Sequence, residues 1–238
     1  MNVALILAGG TDARFKMDIP KQFVNVNNRP IIVYTMEIFQ KHPDIDEIIV
    51  SCLDGWQEMV RVYGKQFNIT KLKEIVPGGK DAQESTYRGL NVLKDRMGQG
   101  DIVVIHDAIR PMASEGIITR SIQMCRKKGM GVAATNVMDN IMHSGDGEEG
   151  YQSIARDKIM KVQTPQAFDF ELIWKLHEKA LAQGSIGAWD NSSMVTNLGE
   201  KVFFSRGSDL NMKINTTEDV EMFRALYRMK HPEENMER

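Results

Sequence analysis

The sequence predicts an α/β protein of three layers, in which helices cover both faces of a doubly wound, mainly parallel sheet. Short runs rich in β-branched residues alternate with longer amphipathic segments along the 238 residues, which is typical of this architecture. Most of the short runs are continuously apolar, as expected for strands buried on both faces. The length suits one sizeable core, so we expect residues 1–238 to form a single domain.

The same alternation locates the individual elements. We predict strands over residues 3–7, 47–52, 101–106, 131–137 and 201–205. The helices are predicted over residues 30–41, 55–67, 84–97, 114–128, 170–182 and 217–229.

Residues 139–161 interrupt the alternation, because residues 141–154 have the pattern of two strands around a turn rich in Gly, Asp and Glu. We therefore predict a β-hairpin arm that protrudes from the sheet. The arm carries too many apolar side chains for a two-stranded projection alone in water. A twofold dimer with crossed arms would cover them, so we predict a homodimer through residues 139–161.

Charge and cysteine content exclude several classes of protein. The chain has 30 basic and 32 acidic side chains and a formal net charge of −2, so nothing indicates a nucleic-acid or membrane-surface partner. Cys52 and Cys125 lie far from any partner at metal-ligand spacing, which favours a reducing, cytoplasmic setting. The apolar start of the chain lacks a basic flank and ends abruptly in glycine, so we interpret it as a buried strand.

The first predicted strand runs into Leu-Ala-Gly-Gly at residues 7–10, and Arg14 and Lys21 follow. Without side chains, Gly9 and Gly10 let backbone amides approach a phosphate chain, and the two cations could neutralise its charge. This pattern indicates a triphosphate site that starts at Ala8. The alternative is an ordinary turn with two surface cations. A Walker loop and a dinucleotide fingerprint are both missing from the sequence, which disfavours a hydride-transferring enzyme.

A second candidate lies where the predicted strand 101–106 ends. Asp107 would stand beside the first strand's loop in a doubly wound sheet, where a carboxylate can hold Mg²⁺ against phosphate oxygens. The alternative makes Asp107 a helix or turn cap with Arg110 as its ion-pair partner. The preceding His106 is interpreted as a structural histidine, since the five histidines show no ligand spacing.

A third candidate lies near the C-terminus, in the segment from Asn211 to Asp219. Thr216 or Thr217 with the acids that follow predicts a helix start. Lys213 comes just before that helix and follows a β-like run, so it can reach back into a pocket at the sheet edge. The alternative is a surface lysine.

These segments together resemble the cytidylyltransferase family that includes 2-C-methyl-D-erythritol 4-phosphate cytidylyltransferase and ribitol-5-phosphate cytidylyltransferase. The resemblance extends over nearly the whole chain, in order, through residues 7–23, 78–90, 104–111, 163–168, 190–195 and 211–220. It implies that CMP passes from CTP to a small polyol phosphate with the help of Mg²⁺, and that pyrophosphate is released.

The resemblance also implies roles for the residues around the nucleotide. Arg14, Lys21 and Lys213 act on the triphosphate and on the charge that grows at the α-phosphate, so they are the catalytic candidates. Gly78 and Ser85 join Ala8, Gly9 and Gly10 in binding the nucleotide. Asp107 holds the metal, and Arg110 supports its loop.

For the acceptor, the resemblance implies Asn140, Arg156 and Asp190. Arg156, on the arm, would grip the acceptor's phosphate in the neighbouring subunit, and Asp190 would lie near its hydroxyls. The family usually has threonine where Asn140 stands. It also has glycine in place of Asp12, methionine in place of Phe15 and arginine in place of Ala82, and these departures concern nucleotide affinity and acceptor identity.

The acceptor is harder to choose than the reaction. Leu-Ala-Gly-Gly at residues 7–10 and Asp-Gly-Trp at residues 54–56 look more like the ribitol-phosphate branch, so D-ribitol 5-phosphate is our first expectation and 2-C-methyl-D-erythritol 4-phosphate the alternative. A non-catalytic nucleotide-binding protein is a hypothesis of another class, motivated by Asp12 and Ala82. A nucleotide-sugar glycosyltransferase would present an Asp-x-Asp motif, and the sequence around Asp107 has none.

Overall fold

The computed structural model describes residues 1–10 and 19–232 of the chain. These residues form a central sheet, two short two-stranded ladders, seven α-helices and two 3₁₀ turns. The strands of the central sheet are β1 (Asn2–Ala8), β4 (Glu47–Cys52), β5 (Leu72–Pro77), β6 (Ile102–Asp107), β7 (Met130–Asn136), β10 (Met160–Asp169) and β11 (Phe204–Arg206). The ladders pair β2 (Asn25–Val26) with β3 (Arg29–Pro30) and β8 (Ile141–His143) with β9 (Gln152–Ile154). The helices are α1 (Ile31–Lys41), α2 (Gln57–Gln66), α3 (Ala82–Asn91), α4 (Glu115–Lys128), α5 (Phe170–Ala182), α6 (Asn191–Asn197) and α7 (Thr217–Lys230).

The central sheet has the strand order β11-β7-β10-β6-β1-β4-β5. All neighbours are parallel except β10, which runs antiparallel to both β6 and β7. The chain winds outward from β1 through β4 to β5 and then returns to the other side of β1 as β6. The winding direction therefore reverses between β1 and β6, and the carboxyl ends of two parallel strands diverge there to leave a crevice.

Side chains of β1 alternate between two apolar cores, one on each face of the sheet. Ile6 lies in the core formed with α1, α2 and α4, whereas Leu5 lies in the core formed with α3, α5 and α6. Each fully buried aliphatic side chain contributes roughly 1.5–3 kcal/mol relative to exposure. Because both faces are buried, the strand is continuously apolar, and the predicted three-layer, doubly wound fold is confirmed.

Helix α3 packs unusually close to the sheet. A Cβ atom at Gly89 would lie 2.4 Å from Cδ1 of Leu5, so a larger residue there would force the buried Leu5 side chain or the helix to shift. On the opposite layer, α7 packs against α1 through Phe223 and Tyr34, whose rings meet edge to face at 5.1 Å. None of the helices in the described ranges has the length and apolar character needed to cross a membrane.

The predicted hairpin arm is present as β8 and β9, with Ile141 opposite Ile154. Its turn is closed by the Ser144 hydroxyl, which accepts from the backbone N–H of Gly147 at 2.8 Å. Met142 and Tyr151 are 58% and 65% exposed, so these two apolar side chains of the arm lie on the outside of the subunit. The arm ends earlier than predicted, because the chain joins the central sheet at Met160.

Several predicted boundaries need correction. Strands β5 and β10 were missed, and the predicted helix 84–97 is regular only from Ala82 to Asn91. The sequence of β10 mixes polar side chains with Pro165 and has no continuous apolar run, which is the reason that the pattern did not indicate a strand. The ladder between β10 and β7 accommodates this proline through a register shift between Val162 and Gln166.

Candidate active site

A pocket of about 360 Å³ opens where β1 and β6 end. Its walls are the glycine residues after β1, the 3₁₀ helix that begins at Lys21, the first turn of α3, and the end of β6 together with Lys213. This is the crevice at the reversal of strand order, where ligands of open α/β sheets bind. The structure therefore brings the three regions singled out in the sequence to one place.

The pocket floor depends on a close backbone approach at Gly78. A Cβ atom at Gly78 would lie 3.0 Å from Cα of Gly9 and 3.1 Å from the carbonyl oxygen of Cys52. Both contacts are with backbone atoms, which cannot move aside cheaply. Gly78 thus packs behind Gly9, and its neighbour Gly79 is the residue that lines the pocket.

Side chains of α3 hold the loop that follows β5 in place. Asp81 caps the helix and accepts from the N–H of Glu84 at 2.8 Å, while Arg88 donates to the carbonyl of Gly78 at 2.7 Å. The Ser85 hydroxyl accepts from the N–H of Gly79 at 2.9 Å. Ser85 also lines the pocket, so its own proton can be donated to a ligand.

Asp107 lies at the end of β6, with two cations on its carboxylate. Arg110 Nε donates to Oδ2 at 2.9 Å, and Lys213 Nζ lies 3.3 Å from the same oxygen. Burial by itself would raise the pKa of Asp107, but Lys213 and Arg110 outweigh that effect and hold the pKa well below its usual range. The side chain is 18% exposed, so a charged carboxylate edge faces the pocket at neutral pH.

Arg110 does not line the pocket. It is buried, and its Nη1 donates to the backbone carbonyl of Asn211 at 2.9 Å. Asn211 in turn donates from its side chain to the carbonyl of Thr164 at 2.8 Å, and the Thr164 hydroxyl accepts from the N–H of Asp107 at 3.0 Å. Arg110 therefore connects the end of β6 to the segment that carries Lys213, and its predicted part in nucleotide binding stays a prediction.

Lys213 reaches the pocket because a helix start fixes the chain behind it. Thr216 caps α7 and accepts from the N–H of Asp219, whose carboxylate accepts from the N–H of Thr216, so the predicted capping box is present. Across the pocket, Lys21 is 7% exposed, and its Nζ lies 3.4 Å from Oδ1 of Asn215. The two lysines approach the same cavity from two sides.

His106 has the structural role that the sequence suggested. It is fully buried, Nε2 lies 3.2 Å from the carbonyl of Arg110, and its ring packs edge to face on Phe39. Burial lowers the pKa of His106 to about 4, so the ring stays neutral. A side chain without access to the pocket cannot exchange protons with a ligand there.

The other predicted site residues are not among the described residues that line the pocket. Arg14, together with Asp12 and Phe15, falls outside the described residues. Asn140 and Arg156 are exposed on the arm, where Arg156 Nη1 donates to the carbonyl of Met138 at 2.6 Å. Neither is among the described residues that line this pocket.

Asp190 also lies outside the pocket lining, and its carboxylate is already occupied. It caps α6 by accepting from the N–H of Ser193 at 2.8 Å, and it accepts from Nε2 of Gln166 at 2.7 Å. The hydroxyls of Ser192 and Ser193 donate to it as well. These contacts give Asp190 a structural role as a helix cap and hydrogen-bond acceptor.

Sequence reasoning missed some residues that line the pocket, including Gln22, Lys80 and Asp81. Gln22 directly follows the predicted Lys21 in the segment Pro-Lys-Gln-Phe at residues 20–23, and Lys80 and Asp81 directly follow the glycine pair at 78–79. The only signal in the sequence that could have identified these residues was their position next to the predicted phosphate-binding segments. In the described ranges no group of three or more His, Cys, Asp or Glu side chains could hold a metal ion, so a metal here would depend on Asp107 and on ligand oxygens.

Comparison with known proteins gives a consistent result. The family model described as 2-C-methyl-D-erythritol 4-phosphate cytidylyltransferase (IspD) matches residues 2–229. A ribitol-5-phosphate cytidylyltransferase of Lacticaseibacillus paracasei is 37% identical over 97% of this chain and 99% of its own. A 2-C-methyl-D-erythritol 4-phosphate cytidylyltransferase of Clostridium tetani is 36% identical over 92% of this chain and 87% of its own.

A solved structure agrees with the fold. The 4-diphosphocytidyl-2C-methyl-D-erythritol synthase of Anaerococcus prevotii superposes with a TM-score of 0.81 at 27% identity, covering 95% of this chain and 96% of that one. With the family model matched over nearly the whole length, the chain belongs to the 2-C-methyl-D-erythritol 4-phosphate cytidylyltransferase family of nucleotidyltransferases.

Proposed function

We propose that the protein transfers CMP from CTP to a polyol phosphate, with D-ribitol 5-phosphate as the acceptor, and releases CDP-ribitol and pyrophosphate. The observation that carries this proposal is the convergence of Lys21, Lys213 and Asp107 on one pocket at the ends of β1 and β6. Two cations and an ionised carboxylate on a glycine-lined floor suit a metal-bound triphosphate.

CTP would lie with its phosphates over Gly9 and Gly10 and its base near the first turn of α3. Lys21 and Lys213 would then flank the α-phosphate, while Ser85 would offer its hydroxyl to the nucleoside. Arg14 is assigned to the triphosphate by the family pattern.

The reaction is an in-line displacement. A phosphate oxygen of the acceptor forms a bond to the α-phosphorus of CTP, the bond from that phosphorus to the bridging oxygen breaks, and pyrophosphate leaves with the electron pair. A phosphate nucleophile is already ionised at neutral pH, so no strong base is required. Catalysis then depends on positioning and on neutralising the charge that grows on the α-phosphate, which the two lysines can do. The burial of His106 away from the pocket agrees with this mechanism.

Mg²⁺ is the proposed cofactor, and Asp107 is the residue that would hold it. Magnesium commonly binds proteins through one or two carboxylates, with the remaining positions taken by substrate phosphates and water. A single ionised carboxylate at the pocket edge fits that donor set. When bound, the ion would neutralise phosphate charge and orient the triphosphate.

The choice of ribitol phosphate is supported by the Lacticaseibacillus relative and by the Asp-Gly-Trp segment at residues 54–56. In the structure, Trp56 stacks on Phe23 at 4.3 Å with nearly parallel rings. This segment therefore packs on the helical turn that carries Lys21. The Clostridium relative keeps 2-C-methyl-D-erythritol 4-phosphate as the second candidate acceptor.

We further propose that the 238 residues act as one nucleotidyltransferase domain in a homodimer. Residues 139–161 would cross to the partner, so that Asn140 and Arg156 serve its acceptor site, with Asp190 nearby. The exposed Met142 and Tyr151 support this proposal because they need a covering surface. A reducing cytoplasmic location is supported by Cys52 and Cys125, which are buried free thiols.

The direct test is pyrophosphate release. The protein is incubated with Mg²⁺, each nucleoside triphosphate in turn, and a panel containing D-ribitol 5-phosphate and 2-C-methyl-D-erythritol 4-phosphate. We expect release with CTP and ribitol phosphate, and none from an Asp107→Asn preparation purified in parallel, which controls for contaminating enzymes. Release only with methylerythritol phosphate would move the assignment to the second acceptor. No release with any pair would favour the non-catalytic hypothesis.

A further inference from the structure

Gln22 is buried beside the glycine floor of the pocket. It follows Lys21 in the 3₁₀ helix and is only 2% exposed, although glutamine is usually a surface residue. Its Nε2 donates to the carbonyl of Ala8 at 2.8 Å and to the carbonyl of Gly10 at 3.3 Å. Both partners are acceptors only, so the amide nitrogen must be the atom that faces them. One buried amide therefore joins the two carbonyls that flank Gly9.

This contact determines the direction of a backbone donor. The carbonyl of Ala8 also accepts from the N–H of Leu53 at 3.1 Å, so it points towards β4. In a trans peptide the carbonyl and the following N–H point in opposite directions. The N–H of Gly9 is thus directed to the other side, towards β6, where Asp107 lines the pocket.

We propose that Gln22 is a positioning residue that holds the glycine floor in the conformation that binds the triphosphate, an inference that rests on the proposed function of the pocket. Glycine has more backbone freedom than any other residue, so an untied Gly9-Gly10 segment would lose that freedom only when ligand binds. Because Gln22 holds both flanking carbonyls, the Gly9-Gly10 segment loses its backbone freedom when the protein folds instead of when the ligand binds. The phosphate part of the ligand gains affinity, and the nucleoside part does not.

A purely structural role for Gln22 predicts a different pattern. If the side chain only filled space in the 3₁₀ helix, its loss would loosen the whole pocket and weaken all ligands alike. The two roles are separated by ligands that represent the two halves of CTP. Inorganic tripolyphosphate reports on the glycine floor, and cytidine reports on the nucleoside side near Ser85.

The experiment measures binding of each probe by calorimetry with Mg²⁺ at fixed concentration, in the wild-type protein and in Gln22→Met. Methionine keeps the length of the side chain but donates no hydrogen bond. We expect tripolyphosphate to bind about tenfold more weakly, because two carbonyls lose a donor, and cytidine affinity to stay within about twofold. Phe23→Leu is the matched control, since it disturbs the same 3₁₀ helix through the Trp56 stack and leaves the amide in place. It should not produce the selective loss.

Gln22→Asn provides a second variant should the methionine variant fail to fold. It keeps an amide but shortens the reach by about 1.5 Å, so it cannot bridge both carbonyls. The same selective loss is expected. Equal weakening of both probes, or no weakening of either, overturns the positioning role. The outcome is independent of turnover: a wild-type protein that releases no pyrophosphate yet shows Gln22-dependent tripolyphosphate binding would refute the proposed reaction alone.

Discussion

Lys213 Nζ lies 3.3 Å from Oδ2 of Asp107, so the lysine assigned to the α-phosphate and the carboxylate assigned to the metal form an ion pair across the mouth of the pocket. Arg110 holds the same oxygen from the buried side at 2.9 Å. Two cations on one carboxylate keep Asp107 ionised and hold Lys213 over the cavity. The pair connects the end of β6, which carries Asp107, to the segment before α7, which carries Lys213. Because the two residues have different assigned roles, substitutions of Asp107 and of Lys213 should have different effects on activity.

Asp107→Asn should abolish turnover while the protein stays folded. Asparagine preserves the shape of the side chain but removes the charge that would hold Mg²⁺, and we expect a loss of at least about a hundredfold in kcat. The measurement is pyrophosphate release over a Mg²⁺ titration, with circular dichroism melting as the control for folding. Near-normal activity at ordinary Mg²⁺ would show that the metal assignment is wrong.

Lys21→Ala and Lys213→Ala should each lower kcat more than they raise the KM for CTP. Each lysine is assigned to charge that grows in the transition state, and the loss of one such contact costs roughly 3 kcal/mol, or about a hundredfold in rate. Lys80→Ala is the matched control, because Lys80 is an exposed lysine on the rim of the same pocket and has no such assignment. If both variants changed only the KM, the lysines would bind the ground state.

Gly78→Ala should weaken CTP binding by displacing the pocket floor. The added methyl group would meet the backbone of Gly9 and of Cys52 at 3.0 and 3.1 Å, so one of the two strand ends must move. We expect an increase of about tenfold or more in the dissociation constant of CTP, in line with typical overpacking costs of 1–3 kcal/mol. Gly98→Ala is the control, because a Cβ there meets nothing within 4 Å. Equal behaviour of the two variants would contradict the close approach.

Stability should fall as the pH drops from about 6.5 to 4, in part because of His177. Burial lowers the pKa of His177 to about 4, while its hydrogen bond to Asn191 opposes that shift. Between these two pH values the unfolded chain takes up a proton on His177 that the folded chain does not, so acid favours unfolding. The stability from this group is complete above pH 6.5 and is lost as the pH falls towards 4.

Urea unfolding at several pH values measures this effect. His177→Gln keeps a donor for Asn191 but cannot titrate, so the slope of unfolding free energy against pH should decrease by up to about 1.4 kcal/mol per pH unit in this window. Activity should be unchanged, since His177 does not line the pocket. An unchanged slope would mean that His177 takes up its proton equally readily in the folded and the unfolded protein.

The sequence revealed those parts of the fold and site that depend on local patterns. Strand β4 was predicted at its observed bounds because it is a short, mostly apolar run with consecutive β-branched residues, and the capping box at Thr216 was visible as a helix start. Strand β10 was missed because Pro165 breaks its pattern, and its antiparallel direction depends on contacts between distant segments. Gln22 was missed for a related reason. A glutamine in a loop looks like a surface residue until the carbonyls it binds are known.

The crossed-arm dimer makes a prediction about mixtures of inactive proteins. Arg156→Ala and Lys213→Ala should each be inactive alone, since Arg156 is assigned to the acceptor's phosphate and Lys213 to the α-phosphate. If the arm serves the partner's site, a mixed dimer contains one site with both lesions and one site with neither. At equal, random mixing half of the dimers are mixed, so activity should recover to about a quarter of wild type.

The recovery must be measured under conditions that allow subunits to exchange, with exchange confirmed independently by two affinity tags. Lys158→Ala, also in the 3₁₀ turn Arg156–Lys158, is the control for damage to the arm and should be active by itself. Arg156 is exposed and is not among the described residues that line its own subunit's pocket, which is the reason for proposing that it serves the partner's site. Complete absence of recovery in exchanged dimers would place Arg156 in its own subunit's site. The apolar faces of Met142 and Tyr151 would then need another explanation, because a crossed arm is what covers them in this proposal.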